Sequence, residues 1–321
     1  MARNHEKETC LFLEWLDVPD SKAVKSTAII TTIIGCFSSL GAILGNTLVL
    51  FVLIKFDRLH TPSNTLIGSL CVSDLLTGFI VTPFSAARRL QEAYGIRPCV
   101  LRLVCAFFAF LCLATSIVTV GGISIDRYFA VVMPFRYRRN ATIFRYLIII
   151  AISWTSLGLI TLFPFIAVID TKTFFQVLFG LMGVSIVVFL ITYAKISRIV
   201  RSHRRKICSV RHASYVSNDS TASERVLAIR ESKKANTIAI VIGCGLCSYM
   251  PLAVMFILRG TIGDTVELVT IADPWADLFL QVTSAINPII YCMRSSDIRD
   301  HISRALPDRL ERLFVRIFRK R

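Results

Sequence analysis

At 321 residues, 54% of them hydrophobic and with a mean hydropathy of +0.63, the chain is more apolar than the roughly 45–50% of a soluble domain. That excludes an ordinary soluble fold and makes lipid the expected solvent. The formal net charge of +16 gathers on one face of the membrane, as the order of the elements shows, so no nucleic-acid partner is needed to explain it.

Residues 1–26 carry Glu6, Lys7, Glu8, Glu14, Asp17 and Asp20 and lack the charged start, apolar middle and small-residue cleavage site of a signal peptide. Seven apolar stretches of about the 20 residues a bilayer demands follow, at 27–55, 64–88, 100–131, 144–168, 174–200, 235–259 and 272–293. An odd number of spans puts the termini on opposite sides, with the first span as its own insertion signal. Lys55, Arg58, Arg136, Arg138, Arg139 and Arg145, eleven Lys/Arg between Lys195 and Lys234, and nine from Arg294 to Arg321 mark one side as the cytoplasm. The N-terminus is therefore expected outside. The predicted fold is an all-α seven-helix membrane bundle. An extracellular segment (1–26) precedes a seven-span domain (27–294), and a cytoplasmic amphipathic tail (295–321) follows it.

Charges inside the spans carry the functional reading, because a carboxylate at the bilayer centre costs at least about 2.5 kcal/mol on insertion scales. Asp74 lies in the middle of span two, where Ser116, Ser284 and Asn287 can offer oxygen ligands to a small hard cation. A protonated, hydrogen-bonded structural aspartate is the competing reading. Asp126 and Arg127 close span three. Asp277, a third of the way into span seven, either faces a cationic ligand or is neutralised by Arg88, Arg89, Arg102 or Arg259, and the internal pairing is favoured. Arg88, Arg89 and Arg102 suit an anionic headgroup or acidic peptide if they face inward, but a surface-facing position is expected.

Between spans five and six about 30 residues are rich in serine and arginine, a loop that phosphorylation would recharge. After span seven, Ile298, Ile302 and Leu306 recur at helical spacing. Beyond Pro307, Leu310, Leu313, Phe314, Ile317 and Phe318 form an apolar stripe opposed by Arg309, Arg312, Arg316 and Arg319, a basic helix suited to the membrane surface.

Asn46, Asp74, Asp126-Arg127-Tyr128, Trp154, Tyr193, Pro251 and Asn287-Pro288-Ile289-Ile290-Tyr291 occur in order, one element per span. In this the chain resembles the rhodopsin-like (class A) G-protein-coupled receptors, over about Thr27 to Arg304. The resemblance implies a non-enzymatic plasma-membrane receptor. It would bind an extracellular ligand between its helices and activate a heterotrimeric G protein by outward movement of span six, with arrestin and a receptor kinase as further partners and lipid around it. It assigns activation and coupling to Asp126, Arg127, Tyr128, Tyr193, Pro251, Asn287, Pro288 and Tyr291, and to Glu231, twenty residues before Pro251, as the acid that locks Arg127 at rest. It makes Pro251 and Pro288 hinges. It also implies an allosteric sodium site at Asp74, Ser116, Ser284 and Asn287, with Thr283 where an asparagine is more usual. The ligand pocket it implies includes Ala109, Leu113, Tyr249, Asp277 and Gln281.

Departures from the family pattern narrow the subfamily. The cysteine expected twenty-five residues before Arg127 is Arg102, and the short second outer loop, about 169–173, has none, so the usual bridge cannot form. Of ten cysteines only Cys10 and Cys99 fall on the oxidising side; a bridge between them and two free thiols are both open. Ser185 replaces the fifth-span proline, Tyr249 a tryptophan and Gly245 a phenylalanine, so the activation relay is expected to be modified. These features are similar to melanocortin receptors and, more loosely, to lysophospholipid, cannabinoid and adenosine receptors. The acidic cluster of melanocortin receptors is replaced by Phe84, Arg102 and Ala106. Ala109 stands where an aminergic receptor carries aspartate, and Gln281 where an opsin carries lysine, so a peptide, lipid or nucleoside ligand is expected rather than a monoamine or retinal. The alternatives are a constitutively active or non-signalling receptor and, from another class, an ion or solute transporter; the lack of internal repeats speaks against the latter.

Overall fold

The computed structural model describes residues 9–10, 13–14, 18–166, 173, 176–177, 180–181, 183–195, 198, 243, 247–262, 265 and 268–318. Span one is a helix over Lys22–Lys55, started by Ser21, whose hydroxyl accepts from the Val24 amide at 3.2 Å. It begins earlier than its apolar run because the cap, not hydropathy, sets the first turn. Thr61 caps Pro62–Leu76 in the same way, with Pro62 in the first turn where its missing N–H costs nothing.

Span two does not run straight. A π turn over Thr77–Val81 separates Pro62–Leu76 from Thr82–Ala93. Its cause lies in the sequence: Pro83 has no N–H to offer the Phe79 carbonyl and its ring crowds that turn, so the ladder slips by a residue. Span one supports the slip, since Ser39 Oγ donates to the Gly78 carbonyl at 2.7 Å. One extra residue in a turn rotates everything after it by about 100°.

Span three is Cys99–Val132, followed by a short helix Pro134–Asn140 and span four, Ile143–Leu162. Helix Gly183–Lys195 lies in span five and Met250–Ile262 in span six. Span seven opens with a second π turn, Leu268–Ala272, and continues as Asp273–Arg294 with Pro288 inside it. Helices Lys22–Lys55, Pro62–Ala93, Cys99–Val132 and Ile143–Leu162 are each long and apolar enough to cross a bilayer. Ile33, Phe37, Leu44, Phe144, Ile152 and Leu159 point outward from spans one and four, as lipid-facing side chains would.

Small residues let the bundle close. A Cβ on Gly45 would sit 2.8 Å from Pro288 Cγ, so spans one and seven can touch only because Gly45 has none. Behind this contact, Val49, Leu70, Leu113, Ile117, Tyr249 and Tyr291 share one apolar core. It extends to Ile298 and Ile302 of the helix Ser296–Ala305, which thereby docks on the bundle as the apolar spacing implied. The helix Asp308–Phe318 follows, with Leu310 and Leu313 exposed and the rings of Phe314 and Phe318 in contact at 4.7 Å.

One addition to the all-helical expectation is a two-residue hairpin, Thr9–Cys10 against Leu13–Glu14. Cys10 is bridged to Cys99 at the start of span three, with Cα atoms 5.6 Å apart, which settles the alternative the sequence left open in favour of the bridge. Residue Cys10 is thereby tied to the end of the bundle where span three begins, the end expected to face outward and named the outer end for that reason.

Candidate functional site

A cavity of about 510 Å³ enters the bundle from the outer end and reaches Asp74. Ala109, Leu113, Tyr249, Asp277 and Gln281, all predicted to line a pocket, line it, and so do Asp74, Ser116, Thr283, Ser284 and Asn287. The volume is in the range that holds a drug-sized molecule.

At the floor, the Asp74 carboxylate is 3% exposed and accepts from Asn287 Nδ2 at 2.8 Å, with Ser284 beside it. Ser73, the residue before Asp74, and Ser116 share a hydroxyl hydrogen bond at 2.9 Å, and Asn46 Nδ2 donates to the Ser284 carbonyl at 3.0 Å. Among the described residues no cationic side chain pairs with Asp74. A buried carboxylate surrounded by neutral oxygens is chemically suited to a small hard cation. Tyr249 and Tyr291 belong to the same buried core, and the Tyr291 hydroxyl is buried without a hydrogen-bond partner among the described residues.

The outer half is crowded with charge. Arg88, Arg89, Arg97, Arg102 and Arg259 line it against Glu92, Asp273 and Asp277. Arg88 Nη1 donates to Glu92 at 3.0 Å and its Nη2 lies 3.9 Å from Asp277, so the favoured internal pairing of Asp277 is present, though long. Arg259 pairs with Asp273 rather than with Asp277. The surface-facing position expected for the span-two arginines is wrong for Arg89, which is 4% exposed. The π turn at Thr77–Val81 is the physical reason: counted on an unbroken helix, the register past Pro83 is off by a residue. Arg89 Nε, Nη1 and Nη2 make no hydrogen bond to any described residue.

At the opposite end of the bundle, the one expected to face the cytoplasm, Asp126 is 2% exposed and collects donors from four side chains. Arg127 reaches its Oδ2 through Nε at 2.9 Å and Nη2 at 2.5 Å, and Ser63 Oγ donates to the same oxygen at 2.6 Å. Tyr137 Oη at 2.8 Å and Tyr146 Oη at 2.6 Å donate to Oδ1. Burial lifts the Tyr137 phenol above its ordinary range, so it stays a donor at neutral pH. Ser63, Tyr137 and Tyr146 were not anticipated: they come from the start of span two, the short helix after span three and the start of span four. Tyrosines in otherwise arginine-rich cytoplasmic turns were the available signal.

Other predicted residues are placed apart. Tyr128 lies under the Lys195 ammonium, 5.3 Å from the ring centroid, and Tyr193 is 40% exposed and stacked on Phe189. Tyr291 is buried, so the two tyrosines assigned to activation do not share an environment. Pro251 lies in the first turn of Met250–Ile262, and Tyr249 precedes it. Glu231, the predicted lock partner of Arg127, lies outside the described residues, as does the second outer loop at 169–172. Trp154 Nε1 donates to Ser69 Oγ at 3.0 Å, joining span four to span two.

The family model described as 7 transmembrane receptor (rhodopsin family) matches residues 45–291. A D(1)-like dopamine receptor of Takifugu rubripes is 28% identical over 325 residues, covering 84% of this chain and 69% of the relative. Trace amine-associated receptor 9 of Mus musculus is 29% identical over 297 residues, 85% of this chain and 83% of the relative. Trace amine-associated receptor 4 of Rattus norvegicus is 30% identical over 275 residues, 78% and 77% of the two chains.

Proposed function

Because the chain belongs to the rhodopsin family of seven-transmembrane receptors, we propose that it takes an extracellular ligand into the outer cavity and responds by activating a heterotrimeric G protein at its cytoplasmic face. It is a multi-pass membrane receptor and not an enzyme. The observation that carries the coupling reading is the Asp126–Arg127 pair, held at 2.5 Å and 2.9 Å inside a ring of hydroxyl donors. A two-state element of this kind is what a ligand can bias by binding one state better.

In this reading Arg127 is held at rest by Asp126 and by Glu231. Agonist binding frees it, span six turns outward about Pro251, and Tyr193 and Tyr291 swing in to hold the opening. Asp74, Ser116, Ser284 and Asn287 would hold a sodium ion, which would supply the positive charge that Asp74 lacks among its neighbours. The N-terminus faces outward, and arrestin and a receptor kinase act on the cytoplasmic side.

The relatives' names refer to amines. Here the place eighteen residues before Arg127 is Ala109, a methyl group on the cavity wall, so the reading favours a peptide, lipid or nucleoside. An amine held by Asp277 is the rival, because that carboxylate lines the same cavity. The absent loop cysteine and Ser185 in span five keep the similarity to melanocortin, lysophospholipid, cannabinoid and adenosine receptors as part of the proposal.

The test is nucleotide exchange on a panel of G-protein families by the cell-expressed full chain, without added ligand, for wild type, Arg127→Ala and Glu231→Ala. Exchange is expected to vanish in Arg127→Ala and to rise several-fold in Glu231→Ala. If no family responds and neither substitution changes the signal, coupling fails, and ion flux dependent on Asp74 becomes the reading to test.

A further inference from the structure

Resting on the receptor reading for its choice of cavity, we propose that Arg89 is the anion-binding residue of the outer cavity and that the ligand is an amphiphile whose carboxylate or phosphate-type head docks on its guanidinium. Arg89 lines the cavity, is 4% exposed, and has all three side-chain nitrogens without a hydrogen bond to any described residue. A buried carboxylic acid or lysine left in that condition can neutralise itself by changing protonation. Arginine cannot, so the charge must be met by an anion.

The nearby carboxylates do not hydrogen-bond Arg89: Glu92 accepts from Arg88 at 3.0 Å, and Asp277 lies 3.9 Å from Arg88. The planar pair of N–H donors on the Arg89 guanidinium matches two oxygens of a carboxylate or phosphate. Below it the wall turns apolar at Ala109, Leu113 and Leu280, which suits a hydrocarbon body and not a free ion.

The test uses the purified full chain in phosphatidylcholine nanodiscs and reads thermal unfolding against oleyl phosphate, oleate, oleyl alcohol, oleylamine and inorganic phosphate. The four oleyl probes share one tail, so the head alone differs. Oleyl phosphate and oleate are expected to raise Tm, and the alcohol and amine not to. In Arg89→Met the concentration for half the shift is expected to rise at least about 10-fold, the loss of a charge-assisted pair. Arg89→Lys, which keeps the charge but not the fork, should fall between. Without probe, Arg89→Met should melt no lower than wild type, since it removes an uncompensated charge.

Equal stabilisation by the alcohol, or an unchanged response in Arg89→Met, would overturn the proposal. Stabilisation by oleylamine alone would assign the cavity to a cation at Asp277. A shift from inorganic phosphate as large as that from oleyl phosphate would overturn the amphiphile in favour of a free anion. Should Arg89→Met not fold, the assignment to Arg89 fails if the Arg89→Lys response matches wild type. No G protein enters the measurement, so silence in the exchange assay would leave this result standing, and the reverse.

Discussion

Two charged groups, equally buried, sit at opposite ends of the bundle and are built in opposite ways. Asp126 at the cytoplasmic end receives five hydrogen bonds from Ser63, Arg127, Tyr137 and Tyr146. Arg89 at the outer end donates none to the described residues. A low-dielectric interior makes satisfied charges rigid and unsatisfied ones expensive. The cluster at Asp126 is thus closed by the chain itself and, in the proposed function, would have to be broken to act, whereas the one at Arg89 would be completed by the proposed occupant. A receptor with one closed end and one incomplete end has its input and output built into the distribution of hydrogen bonds.

The largest effect should come from breaking the closed end. Asp126→Asn removes the carboxylate that pairs with the part-buried Arg127 and trades it for an amide that cannot accept as strongly from four side chains. Losing one partner of a buried pair typically costs about 3–5 kcal/mol. A Tm well below wild type and raised ligand-free nucleotide exchange are expected. If Asp126→Asn melts like wild type, as Arg89→Met is expected to, the contrast between the two ends has no energetic content.

The second effect concerns the contact between the two ends. Spans one and seven carry Asn46 and Asn287, whose side chains reach the middle of the bundle, and they touch at Gly45 and Pro288. Gly45→Ala places a methyl 2.8 Å from Pro288 Cγ, against a rigid ring that cannot step aside. Overpacking of that kind costs about 1–3 kcal/mol. Gly158→Ala, where a Cβ meets nothing within 4 Å, serves as the control and should cost nothing measurable in the same melt. Equal Tm values for the two variants would show that spans one and seven are not held at this distance.

Much of this was readable in advance, and what was not has a common cause. Apolar runs of bilayer length, Asp126-Arg127 and Asn287-Pro288 stand in the sequence as composition and adjacency, and the pocket residues Ala109, Leu113, Tyr249, Asp277 and Gln281 follow from the resemblance in order along the spans. Arg89 was misplaced because its facing depends on a helix register that Pro83 alters six residues earlier through the Thr77–Val81 π turn. A proline announces a disturbance but not whether the helix kinks, breaks or slips. Ser63, Tyr137 and Tyr146 escaped for a related reason: they meet at Asp126 from three separate segments, and their convergence is set by helix packing rather than by spacing. The Cys10–Cys99 bridge lay between these cases, since compartment reduced ten cysteines to two and geometry made the choice.

The smallest effects test whether the closed end is redundant. Tyr137 and Tyr146 both donate to Asp126 Oδ1, at 2.8 Å and 2.6 Å. A hydrogen bond to a charged group contributes about 1.5–3 kcal/mol when its loss leaves the partner bare, and less when another donor remains. Tyr137→Phe and Tyr146→Phe should therefore each cost about 1 kcal/mol or less, because the other phenol still covers the oxygen. The double variant strips Oδ1 of both donors, so its cost should exceed the sum of the two by about 1 kcal/mol, within the range seen for residues that share a partner. Thermal melts of the four proteins give this coupling directly. A purely additive result would mean that the phenols act independently of Asp126, and the five-bond count would then overstate how firmly the cytoplasmic end is shut.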